Sequence, residues 1–108
     1  MLEVLTKWQE FAEIYEINLA PLPNQRFSTT IQSATFDFEI STYIGDISRI
    51  SIKCGSVVLC QNASFQHGII LNAVSPHESG GFFFEYNGRG EPNYTHLGRE
   101  LRLYYGIV

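Results

Sequence analysis

Three histidines, His67, His77 and His96, are the first residues to test for chemistry. A zinc site needs at least two of them to converge with a third ligand, and closely spaced ligand pairs are the usual sign. These three are scattered, and each falls in or beside a segment that reads as a loop. Surface histidines and no bound metal are therefore the expectation. Ser64 lies near His67, and Ser79 near His77, but neither sits in the strand-turn-helix context of a nucleophile elbow. His67 and His96 consequently lack a nucleophile to activate.

The carboxylates Asp37, Glu39 and Asp46 suggest the acid and base of a glycosidase. Asp37 and Glu39 alternate with Phe36, Phe38 and Ile40, which puts both on the solvated face of one strand. Gly88-Arg89-Gly90 resembles a phosphate loop but lacks the spacing and terminal Lys-Ser/Thr of that motif. Its glycines read as suppliers of positive φ in a turn. Cys54 and Cys60 are too few for a metal site and read as reduced thiols. Asn62-Ala63-Ser64 is a glycosylation sequon, idle without an export signal. No catalytic residue and no cofactor is expected.

Composition narrows the class. The chain has 108 residues, enough for one domain, and 44% are hydrophobic with 14% aromatic, so a core can form. Charged residues are only 17%, which favours extra burial against partners. The net charge of −4, with scattered Lys and Arg, argues against sequence-specific nucleic-acid binding. No apolar run is long enough to span a membrane, and the charge-interrupted N-terminus is not a signal peptide.

The elements follow from hydrophobic spacing. Val4, Leu5, Trp8, Phe11 and Ala12 form a one-sided stripe, predicting a short helix within residues 1–13. Such a helix is marginal alone and must dock, either on its own domain or on another subunit. Residues 14–108 then form a single β-domain. Alternation predicts strands over 15–20, 26–32, 35–43 and 47–53. Residues 56–60 read as a strand buried on both faces, and 62–66 as a turn. Further strands are predicted over 68–74, 80–86 and 101–105. About eight short strands imply an all-β fold, a small barrel or sandwich, with the N-terminal helix appended. The last two strands flank a polar loop from Asn87 to Gly98.

An ordered set of motifs runs along the β-domain. It comprises Pro21-Leu22-Pro23-Asn24-Gln25-Arg26-Phe27, Phe36-Asp37-Phe38-Glu39-Ile40 and Gly68-Ile69-Ile70-Leu71-Asn72. It continues with Gly81-Phe82-Phe83-Phe84, Pro92-Asn93-Tyr94, Leu97-Gly98 and Leu101-Arg102-Leu103-Tyr104-Tyr105. In this set the chain resembles the baseplate plug proteins of contractile-tailed phages. The resemblance covers residues 15 to 107 and leaves 1–13 as an extra segment. It implies a structural subunit where the tail tube meets the hub and spike, in several copies around the tail axis. It also implies residence in the virion, with assembly in the host cytoplasm. An acidic surface in the tube lumen would repel passing DNA. The family carries no catalytic residues to transfer.

Contact residues are expected among Arg89, Tyr94 and His96 of the loop, Trp8 of the helix, and Phe83. Of the aromatic run, Phe83 is the residue expected to point away from the core. The competing reading is a carbohydrate-binding β-domain with Trp8, Tyr86, Tyr94, Tyr104 and Tyr105 as its platform.

Overall fold

Alternating apolar and polar residues drive these segments into strands, because each strand then presents one face to a common core. The computed structural model describes residues 13–65, 68–73 and 80–107. The predicted N-terminal helix with Trp8 lies outside the described residues, as do His67 and His77.

Among the described residues eight strands occur in chain order: β1 (Glu13–Ile17), β2 (Gln25–Ile31), β3 (Ala34–Tyr43) and β4 (Ile47–Cys54), then β5 (Val57–Ser64), β6 (Gly68–Ala73), β7 (Gly80–Tyr86) and β8 (Leu101–Ile107). They form two four-stranded sheets, β1-β8-β7-β6 and β2-β3-β4-β5. All paired strands are antiparallel. The fold is therefore all-β and a sandwich.

The sheets meet through an aromatic core. Phe36 and Phe38 of β3 face Phe82 of β7 edge-on, with centroids 5.2 and 5.7 Å apart. Tyr105 of β8 lies 4.5 Å from Phe82 and 5.0 Å from Phe36. Phe36, Phe38, Ile40, Ile50 and Ile52 are all buried, as the alternation predicts. Asp37 and Glu39 take the outer face, since one residue of slip would bury both charges.

Two expectations need correction. Residues 56–60 are not a strand buried on both faces. β5 is an edge strand of its sheet, and Val57 and Val58 are exposed. A continuous apolar run does not by itself say how many faces are covered. Nor do residues 62–66 make a turn: β5 runs on through Ser64. Asn62 takes a left-handed φ of 54° and donates its backbone N–H to the Ser51 hydroxyl at 3.0 Å. The register of β5 on β4 shifts between Ile50 and Lys53. An irregular edge strand thus absorbs the polar residues that looked like a break.

Burial of Tyr105 has a consequence for alkaline stability. Burial, and then the neighbouring Cys54, push its phenol pKa from 10.0 up to about 12. The neutral phenol is therefore favoured by folding, and its contribution is complete below the unfolded value near pH 10. It is lost as pH rises through the folded value of about 12. Unfolding free energy measured by urea titration is expected to fall across this window, and Tyr105→Phe should make the fall shallower. An identical decline in both proteins would contradict this account.

Candidate functional site

Four connections gather at one end of the sandwich. They are the segment from β1 to β2, the β3–β4 hairpin tip, the corner after β5, and the β7–β8 loop. A cleft of about 510 Å³ lies there, bounded by Asp46, Ile47, Arg49, Phe65, Glu91 and Pro92. The β3–β4 hairpin and the β7–β8 loop thus flank one concavity.

The hairpin tip is apolar and exposed. Ile44 is 96% accessible, and Tyr43 and Ile47 stand beside it as register partners, each about half exposed. Gly45 and Asp46 turn the chain with φ of 82° and 59°. The segment before β2 braces the hairpin. The Thr42 hydroxyl donates to the Pro23 carbonyl at 2.6 Å, and the Thr42 amide donates to Asn24 Oδ1 at 3.2 Å. Gln25 Nε2 donates to the Ala20 carbonyl at 2.7 Å, closing the preceding loop. Pro23-Asn24-Gln25 therefore acts as a bracket that holds an apolar tip in water. In the sequence Asp46 stood out only as a carboxylate, not as part of a contact surface. The flanking Tyr43-Ile44 and Ile47 were the available signal, because large apolar residues beside a turn have no core to enter.

The β7–β8 loop is as firmly built. It contains a short 3₁₀ turn, Tyr94–His96, closed by a reciprocal cap. Asn93 Oδ1 accepts from the Thr95 amide at 2.9 Å, and His96 Nδ1 accepts from the Asn93 amide at 3.1 Å. Tyr86 donates its hydroxyl to the Arg89 carbonyl at 2.7 Å and sets its ring against His96 at 5.2 Å. Leu97 anchors the loop in the core and is fully buried. Tyr94 packs partly against the core, while Arg89 is exposed. Arg89, Tyr94 and His96 are thus brought into one ordered loop. The cap was missed in the sequence, where Asn93 with His96 three residues on was its trace.

The enzymatic candidates do not assemble. Glu39 is paired with Arg26 at 2.6 Å, both largely exposed, and Asp37 accepts from the Ser28 hydroxyl. These residues line an open trough of about 690 Å³ on the outer face of the second sheet. Asp46 is at the hairpin tip, away from that pair. Among the described residues, no three His, Cys, Asp or Glu side chains converge as metal ligands. Cys54 and Cys60 are free and half-buried, and burial raises the Cys60 pKa, which works against a reactive thiolate.

Among the described residues, Tyr86, Tyr104 and Tyr105 do not form an open platform either, and Trp8 lies outside them. Tyr105 is buried in the core, Tyr104 stacks on Phe83 at 5.6 Å, and Tyr86 is committed to Arg89 and His96. Phe83 does turn away from the core, where Phe82 and Phe84 belong. It is nonetheless only 1% exposed and offers a partner no free surface.

The hairpin tip and the capped loop together form a partly apolar end surface. Comparison with known families decides what kind of protein carries it. Residues 14–107 match the family described as cyanophage baseplate Pam3 plug gp18. The chain belongs to the phage baseplate plug family. This makes it a structural component of a phage tail baseplate, and its place is in the virion tail. The match spans both sheets, the Pro23-Asn24-Gln25 bracket and the capped loop. No curated protein matches the chain.

Proposed function

We propose that this plug protein is a non-enzymatic subunit at the junction of the tail tube with the hub and spike. It stands there in several copies around the tail axis, after assembly in the host cytoplasm. Residues 14–108 form the β-domain that is built into the baseplate, and residues 1–13 are a helical extension to it. Membership of the plug family supports the baseplate role. The observation that carries the contact site is the bracketed hairpin tip, with Ile44 96% accessible beside the capped loop. A monomer gains nothing from holding Ile44 in water, whereas burying it against a neighbour stabilises the complex by about 1.5–3 kcal/mol. The Arg89, Tyr94 and His96 loop supplies the polar rim, and Tyr and Arg are strong interface anchors.

Particles in which the native copy is replaced by Ile44→Asp or Arg89→Ala test this. Both sites are exposed, so each variant should fold with stability within about 0.5 kcal/mol of the parent. Loss of a contact of about 2 kcal/mol weakens docking roughly thirty-fold. Quantitative mass spectrometry of purified tails should show Ile44→Asp depleted by about that factor, and Arg89→Ala less so. Incorporation of both at the wild-type level would reject this end as the contact surface.

A further inference from the structure

A sheet edge carries a row of unpaired backbone donors and acceptors, and folded chains usually blunt it with a short strand, a bulge or charge. Among the described residues the sandwich has four edges, β1 and β6 in one sheet and β2 and β5 in the other. Three of them are blunted. β1 has five residues and carries the exposed Glu13 and Glu16. The register of β6 on β7 shifts between Ile69 and Leu71. β5 shifts twice against β4 and holds the left-handed Asn62. β2 has none of these devices. It keeps unbroken register with β3 from Gln25 to Ile31 and contains no Gly, Pro or Lys. Its one charged residue, Arg26, is paired with Glu39 of β3 at 2.6 Å.

The β2–β3 turn fixes which groups point outward. Gln32 and Ser33 both have positive φ, 48° and 70°, as a two-residue hairpin turn requires. Ile31 and Ala34 therefore close the hairpin as a hydrogen-bonded pair, and the pairing alternates from there. Gln25, Phe27, Thr29 and Ile31 direct their backbone groups to β3, while Arg26, Ser28 and Thr30 direct theirs to the open edge. We propose that this edge pairs with the same edge of a second copy, antiparallel, about a two-fold axis at Ser28. Ser28 then faces Ser28 of the second copy, and Arg26 faces its Thr30. Every outward residue meets an outward residue, which gives about six hydrogen bonds between the chains. A shift of register loses a pair or brings the two Arg26 side chains together. The second copy is the occupant because the Arg26-Ser28-Thr30 row complements itself and sets no like charges face to face. Side chains agree. Phe27 stacks on Phe38 at 5.0 Å but is only half-buried at the edge. In the pair it lies beside Thr29 of the second copy, in the closer, non-hydrogen-bonded position. The two hairpin tips then point in opposite directions. Where copies share one polar axis the pair must open, so it belongs to the free protein. The proposal rests on register and hydrogen bonding and is independent of the baseplate role.

Sedimentation equilibrium of the full-length chain reads the association. The mass should rise with concentration from 12.3 kDa toward twice that value. Ser28→Lys places a lysine opposite Asp37 of its own sheet, so the domain should fold, but it sets two lysines face to face across the junction. It should weaken association by about tenfold or more. Val58→Lys, on the other edge strand of the same sheet, should leave association unchanged. In a background with Cys54→Ser and Cys60→Ser, Ser28→Cys should form a disulfide between chains on mild oxidation, since hydrogen-bonded antiparallel partners lie about 5.5 Å apart. Lys53→Cys, exposed but within the sheet, should not. A mass that stays at 12.3 kDa up to about 1 mM overturns the proposal. So does a pair that survives Ser28→Lys or dissolves with Val58→Lys, and so does a Ser28→Cys chain that bridges no more than Lys53→Cys.

Discussion

Replacing Phe82 with alanine is expected to lower the unfolding free energy by about 3–5 kcal/mol. Phe82 is fully buried, and its ring contacts Phe36, Phe38 and Tyr105 together. Phe36 and Phe38 belong to one sheet and Phe82 and Tyr105 to the other, so the deletion opens a void between the layers. The edge-on contacts add roughly 0.5–1.5 kcal/mol each beyond area burial, and both are lost together. Three strands border the site, and their ladders keep them from collapsing into the gap. A domain of this size has about 5–15 kcal/mol in total, so the variant should be marginal at ambient temperature. Its melting temperature should fall by roughly 4–8 °C for each kcal/mol lost. Urea titration and a thermal scan measure both. A loss below about 1 kcal/mol would mean that the two sheets do not pack through this ring.

Alternation made most strands readable because burial on one face and solvent on the other is a property of adjacent residues. β3 is the clearest case: Phe36, Phe38 and Ile40 could go nowhere but the core once Asp37 and Glu39 were kept in water. β5 was misread for the complementary reason. Whether Val57 and Val58 are covered depends on what lies beyond the edge of the sheet, and that is a tertiary fact. The same applies to the candidate site. Arg89, Tyr94 and His96 were visible as a polar loop between two strands, which is local information. The partnership of that loop with the hairpin tip across one cleft was not, because Asp46 and Glu91 are brought together only by sheet topology. The Pro23-Asn24-Gln25 bracket was noticed as a motif, but its purpose appears only when Thr42 is seen to donate to it twice. Phe83 was rightly separated from its neighbours by period-two logic. Its near-complete burial could not follow from that logic, since alternation assigns a face and does not say what covers it.

Gly98→Ala is expected to remove several kcal/mol of stability and to displace the β7–β8 loop. Gly98 has a φ of 76°, a conformation that costs an L-residue about 1–2 kcal/mol. Space adds a second penalty. A Cβ there would stand 2.5 Å from the Leu19 carbonyl oxygen, a backbone atom with little freedom to withdraw. Leu19 is buried just after β1, and Gly98 is held in place by donating its N–H to the Leu101 carbonyl at 2.9 Å. Relief must therefore come from moving the loop, which pulls Leu97 from the core and loosens the Asn93–His96 cap. Gly90 is the internal control. Its φ of 73° is nearly the same, but a Cβ there meets nothing within 4 Å. Gly90→Ala should then cost only the backbone term of about 1–2 kcal/mol, and the difference between the two variants isolates the close approach to Leu19. Denaturant titration of both gives that difference, and amide exchange at Thr95 and His96 shows whether the cap has opened. If the two variants lose equal stability, the approach to Leu19 is not what fixes the loop. If Gly98→Ala opens the cap and lowers incorporation into tails while Gly90→Ala does neither, the shape of this loop, and not merely its composition, is what the neighbouring protein recognises.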